Sequence, residues 1–230
     1  MNIAVILAGG AGSRMESAVP KQFSYVAGKP VLAYSIETFA AHSLIDEIAI
    51  VVPRNYVEEI HAMSVDFGWT KVRQILTGGD ERYKSAMAAM AAYASQPEAA
   101  LIFHDAARPL VSSRIIDDIL QALHSYNAVT TAIPTSDTIL QAVGEVVTAI
   151  PDRQQLRRVQ TPQAFRLSVI QDAYTLAAAD AHFCTTDECG VVKKYLPHEK
   201  IGIVHGDERN FKLTCPQDLL LLEALIKLGK

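Results

Sequence analysis

Residues 2–15 read Asn2-Ile3-Ala4-Val5-Ile6-Leu7-Ala8-Gly9-Gly10-Ala11-Gly12-Ser13-Arg14-Met15, a short apolar run that passes into three glycines within four residues. A run of this length, ended by glycine, fits a strand buried on both faces, and such strands belong to parallel sheets. Runs of the same kind recur at 47–52 (EIAIVV), 72–76 (VRQIL), 100–103 (ALIF) and 128–134 (AVTTAIP). Helix patterns lie between them. Pro30 fits a first helical position, with Leu32, Ile36 and Phe39 at helical spacing behind it. Asp80 reads as the N-cap of an Ala-rich helix reaching about Ala94. Ser112 or Ser113 opens another helix, whose Ile115, Ile116, Ile119, Leu120 and Leu123 form one stripe. Strand–helix alternation predicts an α/β fold, a mostly parallel, doubly wound sheet with right-handed crossovers.

The alternation breaks at 138–150 (TILQAVGEVVTAI), where two β-like runs flank Gly144-Glu145. This is a hairpin signal, and it predicts a protruding β-arm over about 137–151, either an ordinary surface hairpin or one used for dimer contact or as a lid. A helix near 167–178, a strand near 200–204 and a helix from Pro216 complete a single domain over 1–230. With Lys+Arg 21 against Asp+Glu 25, the net charge of −4 argues against bulk nucleic-acid binding. No apolar run approaches the ~18 residues of a membrane span, and the start reads as a first strand rather than a signal peptide. Cys184, Cys189 and Cys215 lack CxxC spacing, so neither a disulfide framework nor a zinc site is expected. The expectation is a soluble cytoplasmic protein without nucleic-acid or membrane partners.

The first loop leaves the carboxyl end of its strand, where open α/β sheets bind ligands. Glycines there let backbone N–H groups approach a phosphate chain. The dinucleotide fingerprint fails, because Met15 stands where its third Gly belongs and no acidic residue ends the second strand; GxxxxGK[ST] is absent. What remains is a Gly-rich loop followed by Arg14 and, in Pro20-Lys21-Gln22-Phe23, Lys21. A guanidinium grips two phosphate oxygens and an ammonium acts as a point charge, a pair suited to charge developing on phosphorus. A second cluster, Phe103-His104-Asp105-Ala106-Ala107-Arg108-Pro109, again ends an apolar strand. Asp105 there is a candidate Mg²⁺ ligand, Arg108 pairs with it or faces a phosphate, and His104 reads as structural. The third cluster, Gly78-Gly79-Asp80-Glu81-Arg82 with Ser85, is weak alone, since Gly-Gly-Asp before a helix is common capping chemistry.

Together the segments LAGGAGSRM, PKQF, TGGDER, HDAARP, SDTI, PDR…TPQAF, TTDE and NFKLT span almost the whole chain. In that order they resemble the cytidylyltransferases that make CDP-polyols, and most of all the 2-C-methyl-D-erythritol 4-phosphate cytidylyltransferase family of isoprenoid biosynthesis. The resemblance implies a Rossmann-like nucleotidyltransferase fold and a homodimer built through the β-arm. It implies Arg14, Lys21 and Lys212 as catalytic cations around the triphosphate. Ala8, Gly9, Gly10, Gly12, Gly79, Asp80 and Ser85 would contact CTP. Asp105 would hold Mg²⁺ or another divalent cation and lie near the acceptor. Arg108, Thr138, Arg153 and Thr161 would hold the polyol phosphate, Thr138 and Arg153 from the arm region of the partner subunit; Thr186 would lie near the subunit interface.

One departure concerns the acceptor. Ala8-Gly9-Gly10 stands where many methylerythritol phosphate enzymes have Ala-Ala-Gly, and Ala-Gly-Gly is usual in the sister ribitol-5-phosphate cytidylyltransferases of teichoic acid and capsule synthesis. Ala107 in HDAARP, TPQAF and TTDE point back to the isoprenoid group. Other readings are a sugar-1-phosphate nucleotidyltransferase, separated by its nucleotide preference, and a non-catalytic nucleotide-binding module, which would release no diphosphate.

Overall fold

The computed structural model describes residues 1–10 and 20–229; Gly12 and Arg14 lie outside the described residues. In chain order the elements are β1 (Asn2–Leu7), β2 (Tyr25–Val26), β3 (Lys29–Pro30), α1 (Val31–Ala41), β4 (Glu47–Val52), α2 (Val57–Asp66), β5 (Val72–Thr77), α3 (Arg82–Ala92) and β6 (Ala100–Asp105). There follow α4 (Ser113–Ala122), β7 (Ala128–Pro134), β8 (Gln141–Val143), β9 (Val146–Ala149), β10 (Arg157–Arg166), α5 (Leu167–Ala178), α6 (Glu188–Tyr195), β11 (Ile201–His205) and α7 (Gln217–Lys227).

The main sheet has the order β11-β7-β10-β6-β1-β4-β5. The β1–β4, β1–β6, β4–β5 and β7–β11 pairs are parallel. Side chains alternate across a strand, so β1 feeds two cores at once. Ala4 and Ile6 join Ile48, Ile50 and Ile102 beneath α1, α2 and α4, through Ile36, Ile60 and Ile116. Ile3 and Val5 join Val51, Leu101 and Phe103 beneath α3, α5 and α6, through Ala89, Ile170 and Val192. Helices on both faces make the sheet doubly wound, as the alternation predicts.

Two local features differ from the sequence reading. Asp80 is not the N-cap of α3. Glu81 occupies that position without a capping side chain, while Asp80 accepts from Lys84 at 2.5 Å. Lys84 one turn away is a charged partner and wins over the neutral backbone N–H. Ser112 does cap α4, its hydroxyl accepting from the N–H of Ile115. Strand β6 also runs on past the apolar run through His104 and Asp105.

The largest difference is β10, which the sequence does not show as a strand. It runs antiparallel between β6 and β7, and its register skips from Gln160 to Gln163. Pro162 sits in that skip, and proline has no N–H for the ladder, which is why the stretch fails as a strand on inspection. The skip also leaves Thr161 free to turn its hydroxyl toward the end of β6. The hairpin is present as β8 and β9, turning at Gly144 with φ 58°. Among the described residues, no helix is long and apolar enough to cross a membrane.

Candidate active site

Three loops leave the carboxyl ends of β1, β5 and β6 and wall a cavity of about 230 Å³. They are laced together by backbone: Ala8 N–H donates to Val51 O (2.8 Å), Gly78 N–H to Val52 O (2.8 Å) and Ala106 N–H to Leu7 O (3.0 Å). Gln22, almost wholly buried, clamps the first loop by donating from Nε2 to Ala8 O (2.7 Å) and Gly10 O (2.9 Å). Glycine is needed where loops meet α3. A Cβ on Gly9 would stand 2.9 Å from Ser85 Oγ, and one on Gly78 2.5 Å from the same atom. The Ser85 hydroxyl thus sits in a slot that only hydrogen atoms leave open.

Leu7, Ala8, Gly9, Gly10, Lys21, Gly79, Asp80, Ser85, Asp105 and Lys212 all line this cavity, with Gln22, Glu81, Arg82, Ala107 and Thr214. Lys212 arrives from the loop after β11, which is zipped to the β6 loop by Leu213 N–H donating to Ala107 O at 2.8 Å. Asn210, fully buried, anchors the same loop by donating to Gln160 Oε1 (3.1 Å) and Thr161 O (2.8 Å).

Asp105 is the centre of charge. Lys212 Nζ lies 2.8 Å from its Oδ2, Arg82 Nη2 3.2 Å and Nε 3.3 Å from its Oδ1, and Arg108 Nε 3.9 Å from Oδ2. Burial raises the carboxyl pKa, but Arg82, Lys212 and Arg108 outweigh it and hold Asp105 well below the usual carboxylate range. Burial likewise works against charge on Arg82, yet Glu188 and Asp105 hold it above its ordinary value. Arg82 meets both oxygens of Glu188 through Nη1, and Glu188 itself is fully buried at the start of α6.

Asp105 also fits a divalent cation. Mg²⁺ keeps several waters and takes one or two carboxylates plus substrate phosphates. Asp105 offers a cavity-lining carboxylate: Oδ1 accepts twice from Arg82, while Oδ2 keeps a lone pair beyond its contact with Lys212. Among the described residues no cluster of three or more His, Cys, Asp or Glu side chains forms a protein-only cage.

Four of the expected residues stand elsewhere. Thr161 is buried, and its hydroxyl accepts from Asp105 N–H (3.0 Å) and meets His104 Nδ1 (3.2 Å). Arg108 turns its fork to backbone, donating to Asn210 O (2.8 Å) and Val159 O (3.4 Å). Thr138 and Arg153 are exposed at the arm, Arg153 donating to Ser136 O at 3.1 Å. His104 is structural in its geometry: fully buried, it donates from Nε2 to Arg108 O at 3.0 Å, and burial pushes its pKa down to about 4.

Gln22, Arg82, Glu188 and Asn210 were not singled out from the sequence as site residues. The available signal was polar residues inside PKQF, TGGDER, TTDE and NFKLT that bury themselves against backbone or an opposite charge.

The family model for IspD, 2-C-methyl-D-erythritol 4-phosphate cytidylyltransferase, matches residues 2–228. The chain is 44% identical to a 2-C-methyl-D-erythritol 4-phosphate cytidylyltransferase of Thermobifida fusca, over 98% of this chain and 93% of that one. It is 33% identical to a ribitol-5-phosphate cytidylyltransferase of Lactiplantibacillus plantarum, over 99% of each. In structure it is similar to a 4-diphosphocytidyl-2C-methyl-D-erythritol synthase of Anaerococcus prevotii, with TM-score 0.86, 28% identity, and coverage of 99% of this chain and 96% of that chain.

Proposed function

The chain belongs to the 2-C-methyl-D-erythritol 4-phosphate cytidylyltransferase family, and on that footing we propose that it condenses CTP with 2-C-methyl-D-erythritol 4-phosphate, forming the CDP-polyol and diphosphate. The observation that carries the chemistry is the clustering of Arg82 and Lys212 on Asp105, in a cavity that Gly9 and Gly10 of the glycine loop also line.

In this reading a phosphate oxygen of the acceptor attacks the α-phosphorus of CTP in line, and the bond to the β,γ-diphosphate breaks. The second pKa of a phosphate monoester is near ~6, so the nucleophile is already ionised at neutral pH and no general base is required. The barrier lies in bringing polyanions together and in charge growing on the leaving group. Lys212, Lys21 and Arg14 supply the cationic charge, while Gly9, Gly10, Gly12, Gly79, Asp80 and Ser85 seat the nucleotide. Asp105 would hold Mg²⁺, which when bound supplies Lewis-acid neutralisation of phosphate charge.

The acceptor phosphate falls to Arg108, Thr161 and, from a second subunit, Thr138 and Arg153. A homodimer through the arm is supported by its exposed apolar residues: Val143 (74% exposed), Val146 (68%) and Ile150 (65%) project from a hairpin too thin to bury them itself. The protein works in the cytoplasm, without nucleic-acid or membrane partners.

A ribitol 5-phosphate acceptor is the second reading, favoured by the Ala8-Gly9-Gly10 loop. The structure bears on that argument: the Cβ position of Gly9 faces Ser85 and Gly79 O, on the side assigned to the nucleotide. Diphosphate release from CTP and Mg²⁺ is measured with each acceptor in turn. Turnover with methylerythritol phosphate is expected; turnover with ribitol 5-phosphate alone overturns the choice of acceptor, and silence with both overturns the enzymatic reading.

A further inference from the structure

We infer that Glu188 is a positioning residue for the reaction, acting on Asp105 through Arg82; the inference deepens the proposed function and rests on Asp105 belonging to the active site.

Glu188 does not line the cavity, yet it is a fully buried carboxylate. A buried charge is costly unless it is paired and hydrogen-bonded, and its ionic partner is Arg82. Arg82 is itself only 27% exposed in its side chain, and its guanidinium spans two acids. Nη1 takes both oxygens of Glu188, while Nε and Nη2 take the single Oδ1 of Asp105. A rigid planar fork held at one end is fixed at the other, which a flexible ammonium does not achieve. With Oδ1 so held, the Oδ2 edge is left to Lys212 and to the ligands of the cavity.

The anchor is well seated in its turn. Asp187, beside it, caps α6 by accepting from Gly190 N–H at 2.8 Å, and also accepts from Gln163 Nε2 at 2.8 Å in β10. Gln163 Oε1 accepts from Cys189 N–H at 3.3 Å on the other side of Glu188. The residues flanking Glu188 are therefore both tied to the central sheet. The Thr185-Thr186-Asp187-Glu188 segment thereby reaches the reaction centre without touching it, through a buried chain of Glu188, Arg82 and Asp105.

The test compares wild type with Glu188→Gln, which keeps shape and removes charge, and with Arg82→Lys, which keeps the charge facing Glu188 but not the fork. Two quantities are read: kcat and KM per folded site, and Mn²⁺ affinity by EPR titration in the presence of CTP without acceptor. Glu188→Gln is expected to lower kcat at least tenfold, to weaken Mn²⁺ three- to tenfold, and to leave the KM for CTP within threefold. Wild-type kcat and Mn²⁺ affinity in that variant, with only a lower melting temperature, overturn the proposal. Should Glu188→Gln not fold, Arg82→Lys decides: wild-type values in both readouts refute the strut, and a fall in both supports it. A wild-type protein that binds Mn²⁺ with CTP but turns over neither acceptor defeats the functional reading alone, and the Mn²⁺ comparison still judges this one.

Discussion

Lowering the pH from 7.5 to 5 is expected to destabilise the fold through one side chain, His104. The imidazole is fully buried, accepts at Nδ1 from Thr161 and donates at Nε2 to Arg108 O, an arrangement that suits the neutral ring. Burial pushes its pKa to about 4 in the fold, against about 6.5 in an unfolded chain. Between those values the unfolded state binds the extra proton, so stability rises with pH across the window and is lost as pH falls from about 6.5 toward about 4. At pH 5 the unfolded ring is almost wholly charged and the folded ring about one-tenth charged, which costs about 2 kcal/mol relative to pH 7.5. For a chain of this size that is a fall of about 4–8 °C in melting temperature. The assay is a pair of thermal melts at the two pH values for wild type and for His104→Gln. The substituted amide does not titrate, so the variant should show a pH-induced fall smaller than wild type by about that amount. An equal fall in both proteins would refute the reasoning.

Lys212→Met should lower kcat by about 10²–10³-fold, the usual consequence of deleting one preorganised donor, with the KM for CTP within threefold; a raised KM at unchanged kcat would assign Lys212 to ground-state binding. Because its three cations keep Asp105 ionised well below the usual carboxylate range, the pH–kcat profile should show no acid limb from Asp105 between pH 5 and 8, and Asp105→Asn should be inactive throughout. Gly9→Ala places a methyl 2.9 Å from Ser85 Oγ, so the KM for CTP should rise several-fold while the preference between methylerythritol and ribitol phosphates is unchanged; a switch in acceptor would overturn the nucleotide-side placement. Val143→Asp with Val146→Asp should convert the proposed dimer to a monomer in sedimentation velocity and leave the melting of the main sheet within about 1 °C, since both side chains are exposed in one chain.

The parallel half of the fold was legible because its strands are buried on both faces and therefore apolar throughout. NIAVIL and EIAIVV announce themselves, and the Ser112 cap with its isoleucine stripe does the same for α4. Strand β10 was not legible, because Arg157 and Arg158 are exposed at its start and Pro162 interrupts its ladder. Its partners β6 and β7 lie more than twenty residues away in the chain, and pairing at that distance leaves no local pattern. In the site, residues that act through backbone flexibility or a charge at a strand or loop end were readable from motif position: Gly9, Gly10, Asp105 and Lys212 all reach the cavity. Residues that act by bracing others were not. Gln22 and Asn210 owe their place to carbonyls brought close by the fold, and Glu188 to an arginine 106 positions away. Neither relation has a spacing to read.

The reversed direction of β10 makes the arm a detachable part. Because β10 runs against β7, the chain leaves the main sheet at Pro134 and returns at Arg157, and these two residues face each other across the ladder. Opposed residues in an antiparallel pair lie only about 4.5–5.5 Å apart. Residues 135–156 are thus inserted at a gap that a tight turn can close, without rethreading any crossover or opening either core. Excision of that segment, or transplantation of an arm from another member of the family at the same two joints, becomes a matter of replacing one loop by another. Thr138 and Arg153 travel with that segment, so in the proposed dimer an exchanged arm would change subunit pairing and the partner's contacts to the acceptor phosphate together.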